Sequence, residues 1–137
     1  MGCVVGVVLV VEDEPLNATL AETVLRRAGH QVLMAADGPT ALDIARRRVP
    51  DLILLDVSLT GSMNGLDVCR RLRSDPTTAG IAVLVLSGWT FESDVTAAHD
   101  AGADGYLAKP FAAADLVARV QQLIDGVAAR TADGGAR

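Results

Sequence analysis

The stretch Val7-Val8-Leu9-Val10-Val11-Glu12-Asp13 carries five apolar residues straight into two carboxylates, and it closes a longer apolar run, Val4–Val11. A continuous Val-rich run without polar alternation suits a parallel strand buried on both faces. Four further runs share this character: Gln31–Ala36, Asp51–Leu55, Ile81–Leu86 and a weaker Gly105–Ala108. Between them lie segments of helical period. Leu16, Leu20, Val24 and Ala28 recur every four residues, and Gly29 then supplies a stop. Gly38-Pro39 opens a second helix with the stripe Leu42, Ala45, Val49, and Leu66, Cys69 and Leu72 mark a third. A fourth, Ala-rich and weakly amphipathic, spans Phe91–Ala101, and a fifth carries Leu116, Val120, Leu123, Ile124 and Val127. Strand and helix alternate five times with short connections. That order predicts a doubly wound α/β fold, a five-stranded parallel sheet with helices on both faces.

The rest of the composition fits one such domain. There are 137 residues, 50% of them apolar, with 12 basic against 17 acidic side chains and a net charge of −5. A mean hydropathy of +0.35 excludes a disordered chain. The acidic balance and four aromatic residues argue against direct nucleic-acid binding. Residues 1–127 are read as the domain and residues 128–137 as a flexible tail, because its Thr-Ala-Asp-Gly-Gly-Ala-Arg ending has nothing to bury. Cys3 and Cys69 have neither CxxC spacing nor a neighbouring His, so buried reduced thiols are expected rather than a disulfide or zinc site. The opening apolar run lacks a basic flank and a cleavage site, and it is far short of the ~20 residues that span a bilayer. No membrane association and a cytoplasmic location are expected. His30 and His99 are read as surface residues.

In a doubly wound sheet, ligands bind outside the carboxyl ends of the strands. Those ends carry Glu12-Asp13 after the first strand, Asp56 after the third, Ser87 after the fourth and Lys109-Pro110 after the fifth. Singly, each has an ordinary explanation, such as a helix cap or a turn. Together they bring three carboxylates, a hydroxyl and an ammonium to one edge. Three carboxylates repel unless a cation sits among them. Mg²⁺ suits oxygen ligands and bridges carboxylates to phosphoryl oxygens. Lys109 is the only lysine in the chain, a compact ammonium where every other cation is Arg. With Ser87 it would contact the remaining phosphoryl oxygens, and Asp56 is the natural nucleophile, since carboxylates form aspartyl-phosphates.

Short motifs stand in a fixed order along the chain: Glu12-Asp13-Glu14-Pro15, Pro50-Asp51-Leu52-Ile53-Leu54-Leu55-Asp56, Gly65-Leu66-Asp67, Leu86-Ser87-Gly88 and Tyr106-Leu107-Ala108-Lys109-Pro110-Phe111. In this combination, from about Val7 to Val127, the chain resembles the receiver domain of bacterial two-component response regulators. The resemblance implies a flavodoxin-like fold that accepts a phosphoryl group on Asp56 from a histidine kinase or phosphotransfer protein. It implies Mg²⁺, or Mn²⁺ in its place, on Asp13, Asp56 and the Ser58 carbonyl, with Glu12 acting through water. It further implies phosphate contacts from Lys109 and Ser87, a cis Lys109–Pro110 bond, and Ser87 and Tyr106 as paired switch residues. The expected outcome is a two-state signalling domain rather than an enzyme in its own right, read by a downstream protein, with a phosphorylation-dependent dimer as one form of output.

Three features depart from the family pattern. Gly65 lies nine residues after Asp56 instead of eight, which places one inserted residue within Thr60–Asn64. Gly88 stands where Ala is common, and Trp89 is bulky enough to shield an aspartyl-phosphate. Two competing readings remain at this level. A small Mg²⁺-dependent phosphatase-like enzyme would need a glycine-rich cradle or a second Asp beside Asp56, and a degenerate receiver would have lost part of its acidic site.

Overall fold

The structure is a computed structural model that describes residues 5–59, 61–88 and 92–132. The alternation is as expected: β1 (Val7–Val11), α1 (Pro15–Arg27), β2 (Gln31–Ala35), α2 (Gly38–Arg48), β3 (Leu52–Asp56), α3 (Gly65–Ser74), β4 (Ala82–Ser87), α4 (Glu92–Asp100), β5 (Gly105–Ala108) and α5 (Ala113–Ala132). All strand pairs are parallel and the sheet order is β2-β1-β3-β4-β5. The order reverses between β1 and β3, so the switch point lies above Val11 and Leu55, which are register partners.

The uninterrupted apolar runs are explained by two cores. Leu9, Val11, Ile53, Leu55, Val83 and Val85 face α2, α3 and α4, packing with Ala41, Ala45, Val68, Cys69, Leu72 and Ala98. Their neighbours Val8, Val10, Leu52, Leu54, Leu84 and Leu86 face α1 and α5, packing with Ala21, Leu25, Leu116, Val120 and Ile124. Successive strand residues point to opposite faces, so both parities must be apolar.

Several expectations are corrected. The burying stripe of α1 is Ala21 and Leu25 with Val24 at its margin, whereas Leu16 and Leu20 are 80% and 51% exposed. At 3.6 residues per turn, Leu25 lies about 180° around the helix from Leu16, so a repeat that starts at Leu16 begins on the solvent side and, advancing about 40° per step, reaches only the margin of the core at Val24. Val49 is half exposed, because it is the C-cap of α2 with φ 40°, beyond the stripe on Ala41 and Ala45. His30 is buried, 3% exposed, whereas His99 is exposed as expected. The His30 ring is fixed under the sheet, with Nδ1 accepting the Gly6 N–H at 3.1 Å. Strand bounds differ by a residue or more: β1 begins at Val7, β3 ends on Asp56 itself and β4 on Ser87. Helix α5 continues past Val127 to Ala132. Cys69 is buried, while Cys3, Thr60 and Trp89 lie outside the described residues. No helix among the described residues is long and apolar enough to cross a membrane.

Candidate acidic site

The carboxyl ends of β1, β3, β4 and β5 bring the polar groups to one edge of the sheet. Asp56, the last residue of β3, is 3% exposed. One carboxylate oxygen, Oδ1, accepts the Ser58 N–H at 3.0 Å, and Oδ2 lies 3.1 Å from Lys109 Nζ. Glu12 follows β1 and is buried. Its backbone N–H donates to the Ala35 carbonyl of β2 at 3.0 Å, extending the ladder one residue, and Oε2 accepts the Glu14 N–H at 3.2 Å. Lys109 follows β5, held by a 2.7 Å bond from its N–H to the Ser87 carbonyl, and its Nζ also reaches Glu12 Oε1 at 3.3 Å. The Lys109–Pro110 bond is cis, as the resemblance implies. Ser87 is fully buried at the end of β4. Tyr106 on β5 is half-buried against the α2–α4 core.

Glu12, Asp13 and Asp56 can each bring a carboxylate oxygen within 4.8 Å of the other two. The electrostatic consequence is visible in Glu12. Burial first, then the hydrogen bond and charge of Asp56, push its carboxyl up to about 7 against the opposing Glu14 N–H and Lys109. Burial also works against the charge on Lys109. Hydrogen bonding and attraction from Asp56, followed by Glu12, outweigh it and hold the ammonium above its ordinary range. One lysine therefore does not neutralise the cluster. The donor set is entirely hard oxygen, three carboxylates brought together beside one ammonium, so these residues fit Mg²⁺.

The sequence-level reading brought Glu12, Asp13, Asp56, Ser87 and Lys109 to one edge, and the structure places them there. Ser58 is exposed, directly after Asp56 and Val57, with its N–H turned to Asp56. What the sequence reading missed is the wall beside the site. A cavity of about 350 Å³ opens between α1 and the segment after β5. It is floored by Leu54 and Leu86, flanked by Leu20 and Phe111, and bordered by Glu12 and Lys109. The signal was Leu16 and Leu20 themselves, an apolar pair directly after the acidic run, whose period suggests core.

Comparison with known proteins agrees with this geometry. Residues 8–121 match the response regulator receiver domain family. The DNA-binding response regulator MtrA of Mycolicibacterium smegmatis is 44% identical over 114 residues, covering 83% of this chain and 48% of that protein. The response regulator PleD of Caulobacter vibrioides is 41% identical over 133 residues, covering 93% of this chain and 29% of PleD. Among solved structures, the receiver domain of the sensor histidine kinase PA1611 from Pseudomonas aeruginosa superimposes with a TM-score of 0.81 at 33% identity, covering 89% of this chain and 99% of that one. That structure holds a magnesium ion in its active site cleft. The chain belongs to the response regulator receiver domain family, and its fold is the flavodoxin-like receiver fold. It spans about half the length of MtrA and a smaller share of PleD. Because MtrA is named as DNA-binding, the expectation of no direct nucleic-acid contact applies to the receiver domain alone.

Proposed function

We propose that this domain accepts a phosphoryl group on Asp56 from the phosphohistidine of a histidine kinase or phosphotransfer protein, and that the modified state changes the surface read by a downstream partner. The observation that carries this reading is the buried Asp56 carboxylate, held by the Ser58 N–H and the only lysine of the chain inside a cluster of three carboxylates. In the transfer, an Asp56 carboxylate oxygen forms a bond to phosphorus as the phosphorus–nitrogen bond of the donor breaks, leaving the imidazole with that electron pair. A carboxylate nucleophile has no proton to give up, so the step needs no general base. Lys109 stabilises charge on the phosphoryl oxygens from a position it already holds, and the Ser87 hydroxyl stands at the adjacent strand end to take another oxygen. Glu12, Asp13, Asp56 and the Ser58 carbonyl would hold Mg²⁺, whose charge favours the phosphoryl group at this site.

The donor docks over α1 and the segment after β5. Leu16 and Leu20 are exposed on α1, and Leu20 lines a cavity whose border includes Glu12 and Lys109, so an occupant seated there brings its reactive group toward Asp56. Ser87 and Tyr106 act as the switch pair, and the face of α4, β5 and α5 is the output surface, for a partner or for a second copy of the chain. The domain assists its own phosphorylation and dephosphorylation and turns over no separate substrate.

Incubation with Mg²⁺ and acetyl phosphate, followed by intact mass measurement, tests the reading. One added phosphoryl group in the parent and none in Asp56→Ala is the expected result. Parent protein that binds Mg²⁺ yet stays unmodified with both acetyl phosphate and phosphohistidine donors would overturn it.

A further inference from the structure

Arg73, in the last turn of α3, takes no part in the acidic site, yet its side chain is among the most heavily bonded in the domain. Its Nε donates to the Gly102 carbonyl at 2.8 Å. One terminal nitrogen donates to the Ala79 and Ile81 carbonyls at 2.8 and 2.6 Å. The other reaches Asp104 Oδ2 at 2.7 Å, and that same oxygen accepts the Val83 N–H at 2.8 Å. The guanidinium thus ties three segments together: the end of α3, the turn before β4 and the turn between α4 and β5. A planar fork with five donors can do this, and a lysine cannot. The aliphatic stem completes the joint. Gly102 sits at φ +103°, and a Cβ there would fall 2.6 Å from Arg73 Cγ, so the turn lies flat against the arginine.

Apolar packing holds this segment weakly. Among the described side chains of α4, residues 95–100, only Ala98 is buried, and Ala101 follows just beyond the helix. Each offers a single methyl group, whereas α3 buries Val68, Cys69 and Leu72. Strand β5 has four residues and lies at the sheet edge, none of them fully buried. Polar bonds therefore set where the α4–β5 turn sits: the Asp104 N–H donates to the Val83 carbonyl at 2.8 Å, and among the described residues the side-chain bonds that tie the turn to α3 all come from Arg73.

We propose that Arg73 is the fixed pivot of the α4–β5 segment. It holds the turn at residues 101–105 against α3 whatever the state of Asp56, and rearrangement of α4 and Tyr106 takes place beyond it. Arg73 is a positioning residue. The second half of the proposal rests on the reading of Ser87 and Tyr106 as a switch pair, while the first half stands without it.

Hydrogen exchange read by mass spectrometry on the 137-residue chain tests both halves. In the unmodified protein, Arg73→Gln should speed exchange at residues 101–105 by about tenfold or more, with Arg73→Lys between it and the parent. After acetyl phosphate treatment, with phosphoryl incorporation measured on the same sample, the parent should change its exchange in α4 and near Tyr106 but by less than about twofold at 101–105. Should Arg73→Gln fail to fold, Asp104→Asn removes the ion pair, keeps an oxygen for the Val83 N–H, and should loosen the same turn. Unchanged exchange at 101–105 in the folded variants would overturn the pivot. So would a parent whose turn responds to phosphorylation as strongly as α4. Absence of incorporation would count against the receiver reading instead, and the unmodified proteins would still decide whether Arg73 fixes the turn.

Discussion

Gly65→Ala offers a demanding test of how the fold positions Asp56, the proposed phospho-acceptor. An ideal Cβ at residue 65 would lie 2.2 Å from the Asp56 carbonyl oxygen and 2.8 Å from Val57 Cα. A carbon–oxygen contact settles at about 3.3 Å or more, so the start of α3 must move by about 1 Å from the end of β3. Both obstacles are backbone, and the Gly65 N–H is bonded to the Val57 carbonyl at 3.0 Å, so neither side yields like a side-chain tip. Overpacking of this kind costs about 1–3 kcal/mol. At this chain length, each kcal/mol lowers Tm by roughly 3–5 °C. The functional loss should be larger, because the displacement falls on Asp56, which the proposed function makes the nucleophile, and a 1 Å misplacement can cost about 100-fold in rate. Thermal unfolding gives the first quantity, and the initial rate of phosphoryl incorporation, taken well below the variant's midpoint, gives the second. Gly80→Ala is the matched control, since nothing lies within 4 Å of a Cβ there. Equal midpoints and equal rates for the two variants would refute the reasoning.

Three other outcomes follow from the geometry. Mg²⁺ at about 100 times its Kd should stabilise the parent by about 2.7 kcal/mol, and Asp13→Asn should shrink that gain; a melting curve that Mg²⁺ does not move would count against the acidic cluster as a metal site. Burial holds the His30 imidazole below its ordinary range, opposed in part by Asp51. The unfolded chain then binds the proton more tightly, so the His30 contribution is complete above pH ~6.5 and is lost as pH falls towards the lower folded value. Denaturant titrations between pH 7 and 5 should show the slope, and His30→Phe should flatten it; titration of His30 at its ordinary value by NMR would contradict this. Val49→Asn should stabilise by about 1 kcal/mol, because Val49 is β-branched with φ 40° and Asn tolerates that region, and an unchanged or lower midpoint would argue against strain at the α2 C-cap.

The parallel sheet was legible because burial on both faces leaves an unmistakable mark: Val8, Leu9, Val10 and Val11 are all buried, so no polar residue interrupts them. The site was legible for the complementary reason. Glu12, Asp56, Ser87 and Lys109 are polar groups placed directly at the ends of such apolar runs, where the pattern breaks at one edge of the sheet. The helices were less legible. A four-residue repeat fixes a stripe but not which stripe meets the sheet, and the small Ala21 that lets α1 approach carries less signal than Leu16 and Leu20, which face solvent. His30 looked like a surface residue because it sits at a helix end, directly after the stop at Gly29. Its burial depends on Gly6, a residue 24 positions away that donates to its ring. Arg73 was invisible for the same reason: four of the atoms it binds belong to turns that meet only in the folded chain.

Strand parity also divides the work of the site in a way that a list of residues conceals. Val8 and Val10 face α1 and α5, and Glu12 is the next residue in that row. Leu52 and Leu54 lead to Asp56 in the same way, and Leu107, packed against that core, leads to Lys109. The three groups joined by the ion pairs of Lys109 thus continue the rows of one face, beside the cavity under Leu20 and Phe111. Val83 and Val85 lead instead to Ser87, and Tyr106 packs with the α2–α4 core, so both proposed switch residues belong to the opposite face. The sheet edge at Asp56 is therefore where the two faces meet. A donor approaching over α1 reaches the acceptor without covering α4, and a change at Asp56 is adjacent through β4 to a residue row that belongs to the other core. In the proposed function, this arrangement lets phosphoryl transfer and output use separate surfaces. A Leu20→Arg variant should accordingly slow phosphorylation by a protein donor while leaving incorporation from acetyl phosphate within about twofold of the parent, because the small donor needs only the charged groups and not the apolar wall. Equal slowing with both donors would place Leu20 in the chemistry of the site rather than in docking, and the division between faces would fail.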